Sequence, residues 1–279
     1  MSKKLSWKHI GGFLNPFKIA QIVIGNKPNN NKQIDSIMKN YEVKVLGNDK
    51  QVYDVAAFVA AGKSYSDAIG IVFGSPIIGQ RVLAFDAWLE QWGERKIHVE
   101  ERNESQAVQV LCGLEDTKRV VEAQSDNSGM TAAKRCWQYK CGDLQWYLPS
   151  LMELGTLFLV RDEVNEVMRQ LGCDSDCFLP TEDSDERWLW SSSEGSQGNS
   201  WLVNFGFGHF SNGNYGKYYS SVVRAVAALS DASHREPLSE ANGQGEQIRY
   251  NAPELSDEDL VNMLRQRGYT GNVNKVINL

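Results

Sequence analysis

Short apolar runs between turn residues mark the first part of the chain. Residues 43–46, 69–73 and 81–85 have the length and the content of β-branched and aromatic residues that are typical of strands. The run 69–73 is apolar throughout and has turn residues on both sides, which predicts a buried strand. Residues 81–85 follow a turn that contains glycine and proline, and we expect them to pair with 69–73 in the antiparallel direction.

Residues 104–171 change to the spacing of helices. Ser150 and Glu153 form a capping box at the start of one helix. Its apolar face consists of Leu151, Leu154, Leu157 and Phe158. A second helix is predicted over 161–171, and Gly172 ends it. Helices of this extent before a strand-rich end predict an α+β fold.

The most unusual stretch spans residues 191–221. Glycine, serine, asparagine and tyrosine make up 21 of its 31 residues. Large aromatic residues recur at near-alternating positions in and just before it, namely Trp188, Trp190, Trp201, Phe205, Phe207 and Phe210. This combination predicts short strands packed on a core, with tight turns and an adaptable outer face between them. Because binding loops favour the same four residue types, the composition indicates function by binding.

The two ends of the chain differ from its middle. Residues 1–45 contain apolar side chains such as Trp7 and Phe13, which predict contact with a partner surface. Two alternatives stay open: this arm folds back onto its own domain, or it docks on a neighbouring subunit or larger particle. Residues 231–279 begin with a polar linker and then predict a short helix and a strand. We therefore divide the chain into an N-terminal arm (1–45), a ligand-binding domain (46–230) and a C-terminal tail (231–279).

Composition and charge narrow the classes of function. The net charge of −6 argues against nucleic-acid binding as the main activity. No stretch reaches the ~18 apolar residues of a membrane helix, so membrane insertion is not predicted. The N-terminus lacks a compact apolar run followed by a small-residue cleavage site, so no signal peptide is predicted either.

The five cysteines give little support for metal or redox chemistry. The pairs Cys136/Cys141 and Cys173/Cys177 are five and four residues apart, which is not the spacing of a zinc knuckle. We expect free thiols, with a Cys173–Cys177 disulfide only in an oxidising compartment. Five cysteines and four histidines also produce cysteine–histidine pairs by chance, so such a pair does not indicate a catalytic site.

Motifs for cofactors and catalysis are missing from the sequence. It contains no phosphate-binding loop with a lysine, no dinucleotide fingerprint and no Gly-x-Ser-x-Gly motif. The acidic run 182–186 offers oxygen ligands for calcium but lacks the regular spacing of a calcium loop, so a solvated loop is favoured. The sequence therefore predicts no cofactor, no metal and no enzymatic activity.

Four motifs resemble one family of bacterial and phage domains. The run 146–154, Trp-Tyr-Leu-Pro-Ser-Leu-Met-Glu-Leu, resembles the family's W-R-L-P-T-x-x-E-L signature. Residues 190–194 match W-S-S-T/S-E, and residues 223–226 match V-R-P/A-V. Residues 201–205 match A-W-x-V-N-F after its first position, where Ser200 replaces the alanine. The set is similar to the C-terminal domain of bacterial collagen-like adhesins and to lectin folds of the formylglycine-generating-enzyme type.

This resemblance covers about residues 50–230. It implies an α+β, C-type-lectin-like fold of the formylglycine-generating-enzyme subclass, with an arm before it and a tail after it. It also implies a scaffold of fixed positions that holds the strands rigid. Those positions are Trp146, Pro149, Glu153, Trp190, Glu194, Trp201, Phe205 and Arg224.

A narrower resemblance concerns the variable proteins of diversity-generating retroelements. In that family a reverse transcriptase mutates adenines, mostly in asparagine codons, which become codons for serine, glycine, tyrosine, histidine, leucine or phenylalanine. Glu194, Gln197, Trp201 and Lys217 would then be fixed. The candidate variable positions are Gly195, Ser196, Asn199, Leu202, Gly206, Gly208, His209, Ser211, Asn212, Tyr215, Tyr218, Tyr219 and Ser221. The alternative is an invariant domain whose small polar residues only build turns. One departure is that about fifty residues follow the window, whereas many members of the family end there.

The resemblance implies an adhesin, a ligand-binding protein with a hypervariable face at residues 191–224. Its expected location is a phage particle, such as the tail, or a cell-surface assembly, where it would bind a protein or glycan receptor on a host cell. Repeated copies raise weak affinities, so a homo-oligomer such as a trimer is expected. Two alternatives stay open. One is an enzyme of the formylglycine-generating type, which needs paired redox-active cysteines at the binding face, and the other is a structural particle protein without a variable face.

Overall fold

The computed structural model forms an α+β fold, as predicted, with a nine-stranded sheet and six α-helices among the residues that it describes. Those residues are 43–75, 78–94, 97–125, 129–181, 187–212 and 216–229. The predictions for most of the N-terminal arm, the C-terminal tail, the acidic run 182–186 and Tyr215 lie outside them. The C-type-lectin-like subclass stays a prediction.

The nine strands form one continuous sheet. They are β1 (Lys44–Gly47), β2 (Val52–Tyr53), β3 (Ala68–Ser75), β4 (Gly79–Gln91), β5 (Trp146–Tyr147), β6 (Trp188–Glu194), β7 (Ser200–Asn204), β8 (His209–Ser211) and β9 (Ser220–Ala228). Their order across the sheet is β2-β1-β3-β4-β9-β6-β7-β8, and β5 also pairs with β9. β6 and β9 run parallel, and the other pairs are antiparallel. The last described strand, β9, therefore lies inside the sheet.

Helices contribute to the apolar clusters on both faces of the sheet. They are α1 (Val55–Ala60), α2 (Glu104–Ala107), α3 (Leu114–Ala123), α4 (Ala132–Gln138), α5 (Leu151–Leu159) and α6 (Arg161–Gln170), with 3₁₀ helices at Tyr65–Asp67 and Ser175–Cys177. One cluster joins α3 and α4 to Leu202 and Ala225, and the other joins α5 and α6 to Val203 and Val226. Neighbouring residues of a strand enter different clusters because successive side chains point to opposite faces. The sheet is therefore a central layer that is buried on both sides.

The two predicted central strands are confirmed. β3 contains residues 69–73 and β4 contains 81–85, and they pair antiparallel with Ile71 opposite Leu83. β4 continues beyond the predicted strand as far as Gln91. Its register against β9 shifts between Leu83 and Ala87, which is a β-bulge, and pairing then resumes. The bulge lets one long strand pair with β9 over nearly the whole length of β9.

The predicted start of α5 is also confirmed. The backbone N–H of Glu153 donates to Ser150 Oγ (3.2 Å), and the backbone N–H of Ser150 donates to Glu153 Oε2 (2.8 Å). At the other end of this helical pair, Gly172 has φ +78°, a conformation that disfavours side chains, so the glycine ends the run after α6 as predicted.

The prediction of helix throughout 104–171 is wrong at Trp146 and Tyr147. These two residues form β5 and lie opposite Ala227 and Val226 of β9. A strand of two residues is too short to produce an alternating pattern, and its partner is distant in sequence. Its formation therefore depends on tertiary pairing rather than on local propensity.

Candidate binding face

Residues 191–221 supply most of the three strands β6, β7 and β8, which lie at one edge of the sheet. β7 and β8 form a hairpin, and β8 is the outermost strand on that side. The turn 195–199 joins β6 to β7 at what we call the Glu194 end of these strands. The turn 205–208 joins β7 to β8 at the opposite end, which we call the hairpin end. Since β7 has five residues, the two ends lie about 14 Å apart along the strands.

Three segments meet at the Glu194 end, namely 97–101, 195–199 and 216–219. Single bridges pair Glu101 with Glu194 and Asn199 with Gly216. The backbone N–H of Lys217 donates to the carbonyl oxygen of Gly198 (3.0 Å). These contacts connect segments that lie far apart in the sequence, so the end of the sheet is one linked unit.

Glu194 and Lys217 form an ion pair at this meeting point. Both side chains are fully buried. The Lys217 ammonium donates to a Glu194 carboxylate oxygen and also to the carbonyl oxygens of Ile97 (2.7 Å) and Gln197 (3.1 Å). An ammonium group has three protons, so all of its donor capacity is used. We call this contact the Glu194–Lys217 pair.

The Glu194 carboxylate has several further donors. The backbone N–H groups of Val99 (2.9 Å) and Glu100 (2.8 Å) donate to Oε2, and Nδ1 of His98 lies 3.2 Å from Oε1. Burial acts to raise the pKa of the Glu194 carboxyl, but Lys217 and the N–H donors outweigh it and lower the pKa below its ordinary value. Burial lowers the pKa of Lys217 against the opposing effect of Glu194. The sequence marked both residues as fixed but gave no signal that they pair.

The predicted tryptophan scaffold is buried, and each indole N–H has an acceptor. Nε1 of Trp201 donates to the carbonyl of Arg102 (2.9 Å), that of Trp190 to Glu90 (3.1 Å) and that of Trp146 to Cys141 (2.9 Å). A buried indole that is packed and hydrogen-bonded has little freedom. These residues therefore form a stiff frame beneath the turns. Phe205, another scaffold position, is also fully buried.

Glu153, the capping-box residue, has more partners than the sequence indicated. Its carboxylate accepts from the guanidinium of Arg81, from the hydroxyl of Tyr147 (2.8 Å) and from the backbone N–H of Gly113 (3.0 Å). The Glu153 side chain is fully buried and that of Arg81 nearly so. Burial opposes ionisation of Arg81, yet the carboxylate raises its pKa above the ordinary value. The ion pair connects β4 to the start of α5 across 72 positions of sequence.

Arg224 is a buried scaffold residue of a different kind. Its guanidinium donates to the carbonyl oxygens of Cys177 (2.7 Å) and Ala84 (2.8 Å), and Ala84 lies in the bulge of β4. Burial lowers the pKa of Arg224 to about 10. Pro149 contributes through its backbone, since its carbonyl accepts from the N–H of Ser192 (2.8 Å). Arg224 thus links β9 to β4 and to the second 3₁₀ helix. Pro149, the residue before the N-cap of α5, links β6 to the start of that helix.

Three aromatic side chains are exposed in the described part of the window. Tyr218 and Tyr219 are 44% and 48% exposed at the Glu194 end, and their ring centroids lie 4.5 Å apart. Phe207 is 48% exposed at the hairpin end, where the guanidinium of Arg187 lies 5.7 Å from the centre of its ring. The near-alternating aromatic pattern predicts that Phe207 packs on the core, and this prediction is wrong. Phe207 sits in a tight turn, where its N–H donates to Oδ1 of Asn204 (3.1 Å), so its side chain projects outward.

Five polar candidates are half-buried. They are Ser196, Asn199, His209, Ser211 and Asn212. Ser196 and Asn199 lie in the turn at the Glu194 end, whereas His209 and Ser211 lie on β8. The ring of His209 lies 6.0 Å from that of Phe207. The accessible candidates therefore follow the outer strand β8 from one end of the sheet to the other.

Two of the predicted variable positions face inward. Leu202 is fully buried in the cluster beneath α3 and α4. Ser221 is buried on β9, opposite Glu90. Neither residue belongs to an exposed binding face. The codon rule selected them by residue type, which carries no information on the side of a strand that they occupy.

The three candidate glycines are buried too. Gly208 has φ +68°, and a Cβ there would lie 2.5 Å from the ring of Phe158. A Cβ at Gly195 would lie 2.8 Å from Cβ of Asn212. The N–H of Gly206 donates to Oδ1 of Asn204 (2.9 Å) within the turn 205–208. Side chains at Gly195 and Gly208 would need their neighbours to shift, so we assign both glycines to the frame rather than to the contact surface.

The five cysteines are free thiols, and all lie in the described part of the chain. Cys173 precedes the second 3₁₀ helix, and Cys177 is the last residue of that helix, where its carbonyl accepts from Arg224. Burial raises the pKa of Cys173 to about 12 and also raises that of Cys177. In the described ranges no group of three histidine, cysteine or acidic residues is arranged to hold a metal ion. None of their helices has the length and apolarity that crossing a membrane requires.

Comparison with known proteins shows a remote structural likeness. No family model and no curated protein matches the chain. Among solved structures, a fimbrial protein from Bacteroides ovatus is similar with a TM-score of 0.49 and 13% sequence identity. The match covers 67% of this chain and 48% of the fimbrial protein. The chain thus spans about half the length of that protein.

Proposed function

We propose that this protein is an adhesin-like binding protein whose contact surface follows β8 and the adjoining turns. The exposed aromatic residues carry the proposal. Tyr218 and Tyr219 are half-exposed on a turn that follows Lys217. The Lys217 side chain is buried and paired with Glu194. Tyrosine provides a large contact area at little cost in conformational entropy, and tyrosine and other aromatic residues are enriched where proteins bind ligands. A stiff support lowers the entropy that binding would otherwise lose.

The surface next to the tyrosines suits hydrogen bonding. Ser196, Asn199, Ser211 and Asn212 are half-buried and have short side chains. Such residues supply adaptable donors and acceptors around aromatic contacts. We propose a protein or glycan receptor on a host cell as the partner, bound at this combined surface.

Binding is favoured over thiol catalysis. The nucleophilic form of cysteine is the thiolate. The pKa of Cys173 is raised to about 12, so its thiol is protonated at neutral pH. Cys173 and Cys177 also pack beside Arg224, which lies opposite Ala87 and not in the turns of the binding face.

A direct test compares two exposed sites. The double substitution Tyr218→Ala/Tyr219→Ala removes the aromatic pair, and Tyr65→Ala removes a tyrosine of similar exposure (41%) outside the face. Wild type and both variants would be applied to a glycan array and to candidate host cells. We expect the double variant to lose binding by at least about tenfold while Tyr65→Ala retains it. Equal binding by all three proteins, or equal loss in both variants, would contradict the proposal.

The finer proposal is that the accessible polar and tyrosine positions are diversified. The partly accessible candidates avoid the buried core, so replacing them would leave the frame intact. We also propose repeated copies on a phage particle or cell-surface assembly, where avidity raises a weak single-site affinity. Sequencing the gene across sister isolates tests diversification. Changes should concentrate at Ser196, Asn199, His209, Ser211, Asn212, Tyr218 and Tyr219, and changes spread evenly over the domain would refute it.

A further inference from the structure

The Glu194–Lys217 pair is the place where the three segments of the Glu194 end are tied together. Lys217 lies in 216–219 and binds carbonyl oxygens of the other two segments. Glu194 precedes the turn 195–199 and binds the backbone of residues 99 and 100. Two side chains thus make six contacts, counting the one between them and the His98 contact.

The tyrosines follow Lys217 directly in the chain. The backbone of Lys217 is held on both sides, since its N–H donates to Gly198 and its carbonyl accepts from Trp92 (3.1 Å). The N–H of Tyr219 then donates to the carbonyl of Gly216 (2.9 Å), closing a tight turn. The backbone and side-chain contacts of Lys217 together therefore fix the point from which Tyr218 and Tyr219 project.

A buried ion pair is weak evidence for stability, because desolvation of both charges offsets their attraction. An apolar pair of similar volume would fill the same space without this cost. It would leave the carbonyl oxygens of Ile97 and Gln197 without the Lys217 donor, and the N–H groups of Val99 and Glu100 without the Glu194 acceptor. The contacts of this pair therefore specify an arrangement of segments rather than only filling a core.

We propose that Glu194 and Lys217 are positioning residues of the binding face, which hold the three segments in the one arrangement that presents Tyr218 and Tyr219. The pair acts through the turns and not by touching a ligand. The inference rests on the proposed function for its biological role, but its structural part is tested without any ligand. The Arg81–Glu153 pair offers a matched control, because it is also buried and lies between β4 and α5.

The test uses the full-length chain in three variants: Lys217→Met, Glu194→Gln/Lys217→Met and Arg81→Met. Amide hydrogen exchange is followed by mass spectrometry, and thermal unfolding gives the stability of the whole domain. In Lys217→Met we expect exchange to speed up about tenfold or more in segments 97–101, 195–199 and 216–219, and to stay unchanged in α3 and α5. In Arg81→Met we expect the reverse pattern, with faster exchange near the start of α5.

The double variant separates positioning from stability. It removes the unpaired buried charge that Lys217→Met leaves on Glu194, so the melting temperature should recover toward wild type. The three segments should still exchange fast, because the hydrogen bonds of Lys217 are gone. Recovery of both properties would mean that the pair only stabilises, and would overturn the proposal. Uniformly faster exchange in Lys217→Met, or no change at all, would overturn it too.

A ligand-binding measurement distinguishes this inference from the proposed function. On the arrays and cells that wild type binds, the double variant should dissociate at least about tenfold faster at nearly wild-type stability. Wild-type dissociation by this variant would overturn the positioning role while leaving the proposed function intact. If the tyrosine variant retains full binding, the proposed function fails, although the exchange pattern of the three segments remains a separate result.

Discussion

The buried glutamates Glu153 and Glu194 have the same chemistry but connect different parts of the molecule. Glu153 joins β4, α5 and the backbone of Gly113, all of which belong to the packed layers. Glu194 joins three segments at one end of the sheet. We therefore expect that breaking the ion pair between layered elements destabilises the fold as a whole, and that breaking the one between turns changes the shape of a surface. We expect the location of each glutamate, more than its degree of burial, to decide what its loss changes.

The largest expected effect is a difference in the free energy of unfolding between variants of Glu153 and Glu194. Glu153→Gln removes the acceptor charge of Arg81 and leaves a nearly buried guanidinium without it, so we expect the free energy of unfolding to fall by about 3–5 kcal/mol. Glu194→Gln should cost less, about 1.5–3 kcal/mol, because turns relax more readily than layers do. Urea denaturation of both variants measures the difference. Equal losses would show that the two glutamates act alike.

Acid should affect the Glu194 site in a defined pH range. The pKa of Glu194 in the folded protein lies below its ordinary value of 4.5. The folded state therefore binds protons less readily than the unfolded chain, and the stabilisation is complete above about pH 4.5 and is lost as the pH falls through the folded pKa. The melting temperature between pH 6 and 3 should fall more steeply in wild type than in Glu194→Gln. Parallel curves would show that Glu194 does not contribute.

A smaller effect is expected at the hairpin end. Gly208→Ala places a side chain at φ +68° and against Phe158, so we expect a loss of about 1–2 kcal/mol. Gly198→Ala is the matched control, because a Cβ there meets no atom within 4 Å and its φ is not positive. Thermal unfolding of the two variants measures both effects. If Gly208→Ala is as stable as Gly198→Ala, position 208 belongs to the adaptable surface after all.

Local patterns in the sequence predicted the elements that depend on neighbours in the chain. The capping box of Ser150 and Glu153 acts over three residues, and the strand 69–73 is apolar without interruption, so both were visible. The partners of the buried charges were not. Arg81 lies 72 positions from Glu153, and Lys217 lies 23 positions from Glu194. No periodicity links such distances, and only the tertiary fold brings the atoms together.

The sequence predicted which residue types make up the candidate site, but not which of their side chains are exposed. The sequence identified the tyrosines that the structure exposes, and it identified Trp190 and Trp201 as frame. It also selected Leu202, which faces the core, because a codon rule does not distinguish the two sides of a strand. Phe207 showed the opposite error. Its residue type predicted burial, but at its place in the turn 205–208 its side chain is 48% exposed.

The inside position of β9 has a consequence for synthesis of the protein. β9 is the last described strand, yet it hydrogen-bonds with β4, β5 and β6, all of which leave the ribosome earlier. In the order of the sheet, β9 is the strand that joins β2-β1-β3-β4 to β6-β7-β8. The native sheet can therefore close only after residues 220–228 have been synthesised, and a chain that stops before residue 220 lacks the strand that joins the two parts.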